Sequence, residues 1–300
     1  MHKFSNAVMI LILAVLSFIP QVSFADGKDK DKEKSAILVV SFGTSMPEAR
    51  KAIDNLVNSA KKNFPECEVR LAFTSNIIRR KIARESNENI PNPVQALAAL
   101  NDEGFKNVYV MPTHIIPGEE YDELCNVVDA FDSLDGKYGF DDLELGYPFM
   151  NGTKDCARMA DILIERFKNQ LKDKDTGIIL MGHGTPEHFA NALYSQLQLI
   201  LDSKAYGKFF VGTVEASPEL DDVIAKLKRH PEIKKLVLSP LMIVAGDHAN
   251  NDLAGEDDSE SWLNVLKSNG YTNITTYLVG LGEDGNIAKD FVKKIHALMD

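Results

Sequence analysis

Two histidines and a glutamate stand at intervals of 32 and 33 residues: His183, Glu215 and His248. His183 and Glu215 follow short apolar runs at residues 178–181 (IILM) and 209–214 (FFVGTV), and His248 follows a third, 236–238 (LVL), across a bridging segment that contains Ser239 and Pro240. Two imidazoles and one carboxylate can hold a divalent first-row metal and leave a coordination position open. The same groups can accept protons near neutral pH. Each residue alone also reads as an ordinary hydrogen-bonding loop side chain, and the intervals are too long for a local motif. Their shared position at the end of a run joins them into one candidate site. His114 stands in the same relation to residues 107–111 (NVYVM), within MPTHIIPGEEY, and is directed toward the same region. Alone it reads equally as a structural loop histidine.

Those runs must be strands. Strand-like segments at 36–41, 68–73 and 107–111 alternate with helix-spaced segments at 48–63 and 93–103, and the second half alternates in the same way. Such alternation predicts parallel strands joined by right-handed crossovers. Parallel sheets place their sites beyond the carboxyl ends of the strands, where the residues above stand. The two halves also repeat each other. AILVVSFGTSMPEA (36–49) matches GIILMGHGTPEHFA (177–190), with Gly43 and Thr44 on Gly184 and Thr185. RLAFTS (70–75) matches FVGTVE (210–215). KNVYVMPTHIIPGEEYDEL (106–124) matches KKLVLSPLMIVAGDHANNDL (234–253), with Pro112 on Pro240 and Gly118 on Gly246. LELGYPFMNG (143–152) corresponds loosely to TYLVGLGEDG (276–285). The expected architecture is therefore α/β: two similar domains, each a four-stranded parallel sheet flanked by helices. They are expected over 36–150 and 151–300, the second carrying the metal site. The first-half counterparts of His183, Glu215 and His248 are Phe42, Ser75 and Glu120, so the repeat diverges at the candidate ligands.

The chain of 300 residues is 44% apolar and 26% charged, an ordinary globular mix. Its net charge of -11 repels phosphate backbones, so nucleic acid is not an expected partner. Arg79, Arg80 and Lys81 are candidates for holding anionic groups, but read first as a solvated helix face. The acidic run 255–260 (GEDDSE) reads as a solvated loop or a collector of cations. Cys67, Cys125 and Cys156 are odd in number and lack C-x-x-C spacing, which argues against a disulfide framework. SFGTS and GHGTP match neither phosphate-binding glycine motif, and no G-x-S-x-G elbow is present. At the start, Lys3, an apolar run at 7–19, Pro20 and then Ser23-Phe24-Ala25 form the pattern of a secretory signal peptide over 1–25. A charged linker (26–35) follows. The expected location is the periplasm, with no stable membrane insertion after cleavage.

Four segments together carry a family resemblance: AILVVSFGTS, PTHIIPGEEYDEL, GHGTP and LMIVAGDHANNDL. They resemble the anaerobic sirohydrochlorin cobaltochelatases of the single-subunit, class II chelatase group, over most of the chain after residue 35. The resemblance implies a chelatase-like fold with a cleft between two domains, and insertion of Co2+ into sirohydrochlorin without ATP. The family's metal-binding residues fall on His183 in GHGTP, Glu215 in GTVEAS and His248 in GDHANND. The histidines would act as ligands and proton acceptors, with Glu215 as third ligand or base. His114 matches the family's P-T-H segment and would bind the tetrapyrrole. The leader departs from the commoner cytoplasmic members. An exported member can serve another metal such as Fe2+, or bind a finished metallotetrapyrrole such as haem. The second reading is therefore an exported metal or haem carrier on a chelatase fold. A third, a two-lobed solute-binding protein, gives no reason for the His/Glu/His set. The expected partner is sirohydrochlorin or a related tetrapyrrole, with a homo-oligomer left open.

Overall fold

The computed structural model describes residues 34–300. The expected leader and nearly all of the charged linker lie outside the described residues. The first half runs β1 (Ser35–Ser41), α1 (Pro47–Asn63), β2 (Glu68–Phe73), α2 (Asn76–Ser86), α3 (Pro93–Asp102), β3 (Asn107–Pro112), α4 (Glu119–Asp132) and β4 (Asp142–Leu145). The second runs α5 (Thr153–Arg166), β5 (Thr176–Gly182), α6 (Ala192–Lys204), β6 (Phe209–Thr213), α7 (Leu220–Leu227), β7 (Lys235–Pro240), α8 (Trp262–Ser268), β8 (Asn273–Thr276) and α9 (Gly285–Met299).

Each half forms one four-stranded parallel sheet, in the orders β2-β1-β3-β4 and β6-β5-β7-β8. Helices cover both faces, so the central strands are apolar along their length rather than alternating. Residues 36–40 in β1 and 178–181 in β5 are fully buried. Burying one such Leu, Ile or Val side chain stabilises the fold by about 1.5–3 kcal/mol. In each sheet the chain reverses its direction of strand addition beside the first strand, which opens a crevice at the carboxyl ends there.

The repeat is visible atom by atom. Val40 pairs with Pro112 in the first sheet as Met181 pairs with Pro240 in the second. Gly43 and Gly184 both take positive φ, 103° and 84°. The Ser75 amide donates to the Phe42 carbonyl at 3.2 Å, and the Glu215 amide to the His183 carbonyl at 2.9 Å. Each sheet's second and third strands are linked through a helix that opens on a capping box, Asn92 with Gln95 at α3 and Glu219 with Asp222 at α7. Helix α2 has no such counterpart.

Helix α9 crosses back to the first half. It packs on α1 and β3, with Phe291 stacked on Phe149 at 6.1 Å and His296 against Phe64 at 4.5 Å. Just before it, the Asn55 side chain donates to the Gly282 carbonyl at 2.7 Å. Asp290 on α9 is buried and ion-paired to Arg158 on α5 at 2.5 Å. One apolar core accordingly contains both Val39 and Met111 of the first sheet and Ile178 and Leu180 of the second. None of Cys67, Cys125 and Cys156 forms a disulfide, and Cys156 lies within this core. No helix among the described residues is long and apolar enough to cross a membrane.

Candidate metal centre

His183 is the first residue beyond β5, and its position is set by glycines on both sides. A Cβ on Gly182 would lie 2.4 Å from the buried Tyr194 ring, and one on Gly184 would lie 2.9 Å from Ala216. Only glycine lets the loop settle this low onto the sheet. The loop then locks through Thr185 and Asn191, whose side-chain amide donates to the Thr185 carbonyl at 2.6 Å while its oxygen accepts from the Thr185 amide. Backbone hydrogen bonds from Val214 and Glu215 to the His183 carbonyl bring the β6 loop alongside. His248 enters from the β7 loop, at the start of a single wide helical turn (Ala249–Leu253). Such turns recur at functional sites.

The three sequence-predicted residues meet. One ligand atom from each of His183, Glu215 and His248 lies within 4.8 Å of those of the other two. The His183 and His248 rings are edge-on, 4.8 Å apart and 82° inclined, and His183 Nδ1 is 3.7 Å from Glu215 Oε2. Their side chains are 41%, 41% and 36% exposed, so the cluster opens to solvent. His183 Nδ1 is 2.8 Å from the Gly184 carbonyl, which can only accept, so Nε2 keeps its lone pair. His248 Nδ1 is 2.5 Å from Asp252 Oδ2, which likewise frees His248 Nε2 and fixes the ring. Each imidazole thus keeps one lone pair, and with the nearby carboxylate the three side chains make a donor set that suits a divalent cation.

His114 does not join the cluster. Both of its ring nitrogens are shielded from water and unpaired, and its ring meets the edge of Tyr121 at 6.4 Å. Burial lowers its pKa to about 4, so it is neutral at pH 7. Arg79 is half-buried and structural: its guanidinium donates to the Ile90 carbonyl at 2.7 Å, to Asn76 and to Gln95.

Two site residues escaped the sequence reading. Asp252 was signalled only by its spacing of four from His248. Glu120, the counterpart of His248, stands across the cleft beside Thr74 and within electrostatic reach of His183. Burial raises its carboxyl pKa above the ordinary value, and neighbouring Glu123 adds to this. The approach is made by the first turn of α4 docking on the His183 loop. The Glu119 amide donates to Thr185 Oγ1 at 3.3 Å, and His188 Nε2 reaches Asp122 at 3.1 Å. His188 Nδ1 accepts from the Ala190 amide, so the hydrogen toward Asp122 is on Nε2.

With that geometry in hand, the family model for cobalt chelatase (CbiK) matches residues 35–300. This chain belongs to the cobalt chelatase (CbiK) family. Among curated cobalt chelatases, it is 34% identical over 268 residues to the sirohydrochlorin cobaltochelatase of Salmonella typhimurium, covering 89% of this chain and 97% of that one. It is 32% identical over 237 residues to the sirohydrochlorin cobaltochelatase CbiKC of Nitratidesulfovibrio vulgaris, covering 79% and 81%. The fold is shared with chelatase structures of low sequence similarity. SirB from Bacillus subtilis with Fe3+ superposes at a TM-score of 0.57 and 14% identity, over 88% of this chain and 95% of that chain. CbiX, described as the terminal enzyme for biosynthesis of sirohaem in denitrifying bacteria, superposes at 0.53 and 14%, over 88% and 100%.

Proposed function

We propose that this chain inserts Co2+ into sirohydrochlorin without ATP, as its relatives' names describe for them. The observation that carries the reading is the half-exposed convergence of His183, Glu215 and His248 at the strand ends. Insertion exchanges two pyrrole N–H protons for one divalent cation. The site must therefore hold the metal by ligands it can release, and keep proton acceptors close. His183 and His248 would bind the arriving metal through Nε2, with Glu215 as third ligand. As the metal passes to the ring, the same lone pairs become free to take protons. Glu120, within electrostatic reach of His183, is a further proton acceptor, its carboxyl pKa raised above the ordinary value chiefly by burial.

Nitrogen and oxygen ligands separate Co2+ from Fe2+ only weakly, so Fe2+ is proposed as a second substrate metal. His114 is retained as a macrocycle contact through its PTH segment, its ring buried and neutral as the chain stands. The basic, apolar and small-residue pattern at the start of the chain supports export to the periplasm.

The test is anaerobic mixing of the protein with sirohydrochlorin and Co2+ or Fe2+, followed by absorption. Turnover well above the protein-free rate is expected, and His248→Ala should lose roughly 10²-fold. A rate equal to the protein-free control, or one indifferent to His248→Ala, would sink the assignment. Stoichiometric binding without turnover would make the protein a tetrapyrrole carrier instead.

A further inference from the structure

Helix α2 is an addition to the repeat. Residues 74–92 join β2 to α3, whereas residues 214–219 alone join β6 to α7. The added helix buries a single residue, Ile82, and is held in place at its side by the Arg79 hydrogen bonds to the 90–95 segment. Its N-terminal end lies near the candidate site. It starts directly after Ser75, the counterpart of Glu215, and its preceding residue Thr74 adjoins Glu120, which faces His183.

The face that α2 turns outward has a definite chemistry. Ile77, Arg80, Lys81 and Arg84 are spaced i, i+3, i+4 and i+7, one side of a helix. Ile77 is 80% exposed, and the three cations are exposed and make no ion pair among the described residues. The second half has no helix here, and its short β6–α7 connection leads straight into the acidic start of α7, with Glu219, Asp221 and Asp222. On a chain of net charge -11, three unpaired cations in two turns are a local inversion of sign.

Sirohydrochlorin presents an apolar ring rimmed by acetate and propionate carboxylates. Resting on the chelatase reading above, we propose that the outward face of α2 clamps the rim of the tetrapyrrole, Ile77 against the ring and Arg80, Lys81 and Arg84 with its carboxylates. Guanidinium groups suit this because their fork matches a carboxylate in a bidentate pair. From Ile77 to Arg84 the helix advances about 10 Å, a span comparable with the radius of such a ring with its side chains. Charge complementarity also answers a long-range difficulty, since the net charge of -11 repels a polyanion.

The experiment replaces the three cations together by Arg80→Gln, Lys81→Gln and Arg84→Gln. All three are exposed, so folding is not at stake. Sirohydrochlorin is titrated by absorption without metal, and Co2+ insertion is measured separately. The clamp predicts a Kd raised about tenfold, from three exposed charge pairs of ordinary strength. It also predicts a shallower salt dependence, with kcat at saturating sirohydrochlorin and KM for Co2+ unchanged. A control removing the exposed Lys228 and Arg229 of the second half by glutamine should leave Kd as in wild type. Equal Kd for wild type and triple variant, or equal weakening in the control, overturns the clamp while leaving insertion by the wild type standing. A wild-type protein that neither binds nor metallates sirohydrochlorin overturns the chelatase reading and the clamp with it.

Discussion

Acidification from pH 7 to pH 5 should weaken the wild-type fold more than that of a His114→Leu protein. The folded-state pKa of His114 is lowered by burial from 6.5 to about 4. Between those values the unfolded chain takes up a proton that the folded chain refuses. Stability is therefore complete above about pH 6.5, falls as the pH drops toward 4, and levels off below that. The difference between 6.5 and about 4, at about 1.36 kcal/mol per pH unit, limits the loss to roughly 3 kcal/mol. At pH 5 some 2 kcal/mol of it, to within a unit of pKa, should be realised. Leucine removes the titrating ring, along with two nitrogens that have no partner to lose. Guanidinium denaturation of both proteins at the two pH values measures the effect. Every other titrating group is shared and cancels in the comparison. If the two proteins lose the same stability between pH 7 and pH 5, His114 is not held neutral by its surroundings and the argument fails.

Asp252→Asn should weaken Co2+ binding by roughly 10- to 100-fold in a calorimetric titration, because His248 loses the carboxylate that orients its ring. An unchanged affinity would mean that something else orients it. Gly184→Ala must accept φ of 84° and a 2.9 Å approach to Ala216, and should cost about 1–3 kcal/mol together with Co2+ affinity. Gly104→Ala, at φ of 80° with open space around it, should lose some stability but no metal binding; equal metal loss in both would refute the packing argument.

The strands and the meeting of His183, Glu215 and His248 were legible because burial on both sides of a parallel sheet leaves unbroken apolar runs, and because the second copy of each run gave an independent alignment. Gly43 on Gly184 proved to be a match of backbone conformation as well as of letters. Glu120 was less legible. The alignment placed it opposite His248 in the repeat, but only the docking of α4 on the Thr185 loop brings it across the cleft to His183. Nor does α9 announce its destination. Ile287, Phe291 and Ile295 give it an apolar stripe, which says that it packs and not against which sheet. Arg79 looked like its neighbours Arg80 and Lys81 in sequence, and differs from them only because the chain at Ile90 returns beneath it.

The return of α9 also bears on how the chain comes to be folded at all. Helix α1 buries Ala52, Ile53 and Leu56, and part of that covering is supplied by residues 281–299. A nascent chain emerging from the ribosome therefore holds its first sheet half-dressed until residues 281–299 have been made. A fragment ending near residue 150 would carry the same bare flank and should associate or be degraded rather than persist as a monomer. Splitting the protein into its two look-alike halves is thus a poor way to make either of them, whereas a circular permutant that fuses α9 ahead of β1 would let the first half complete itself early.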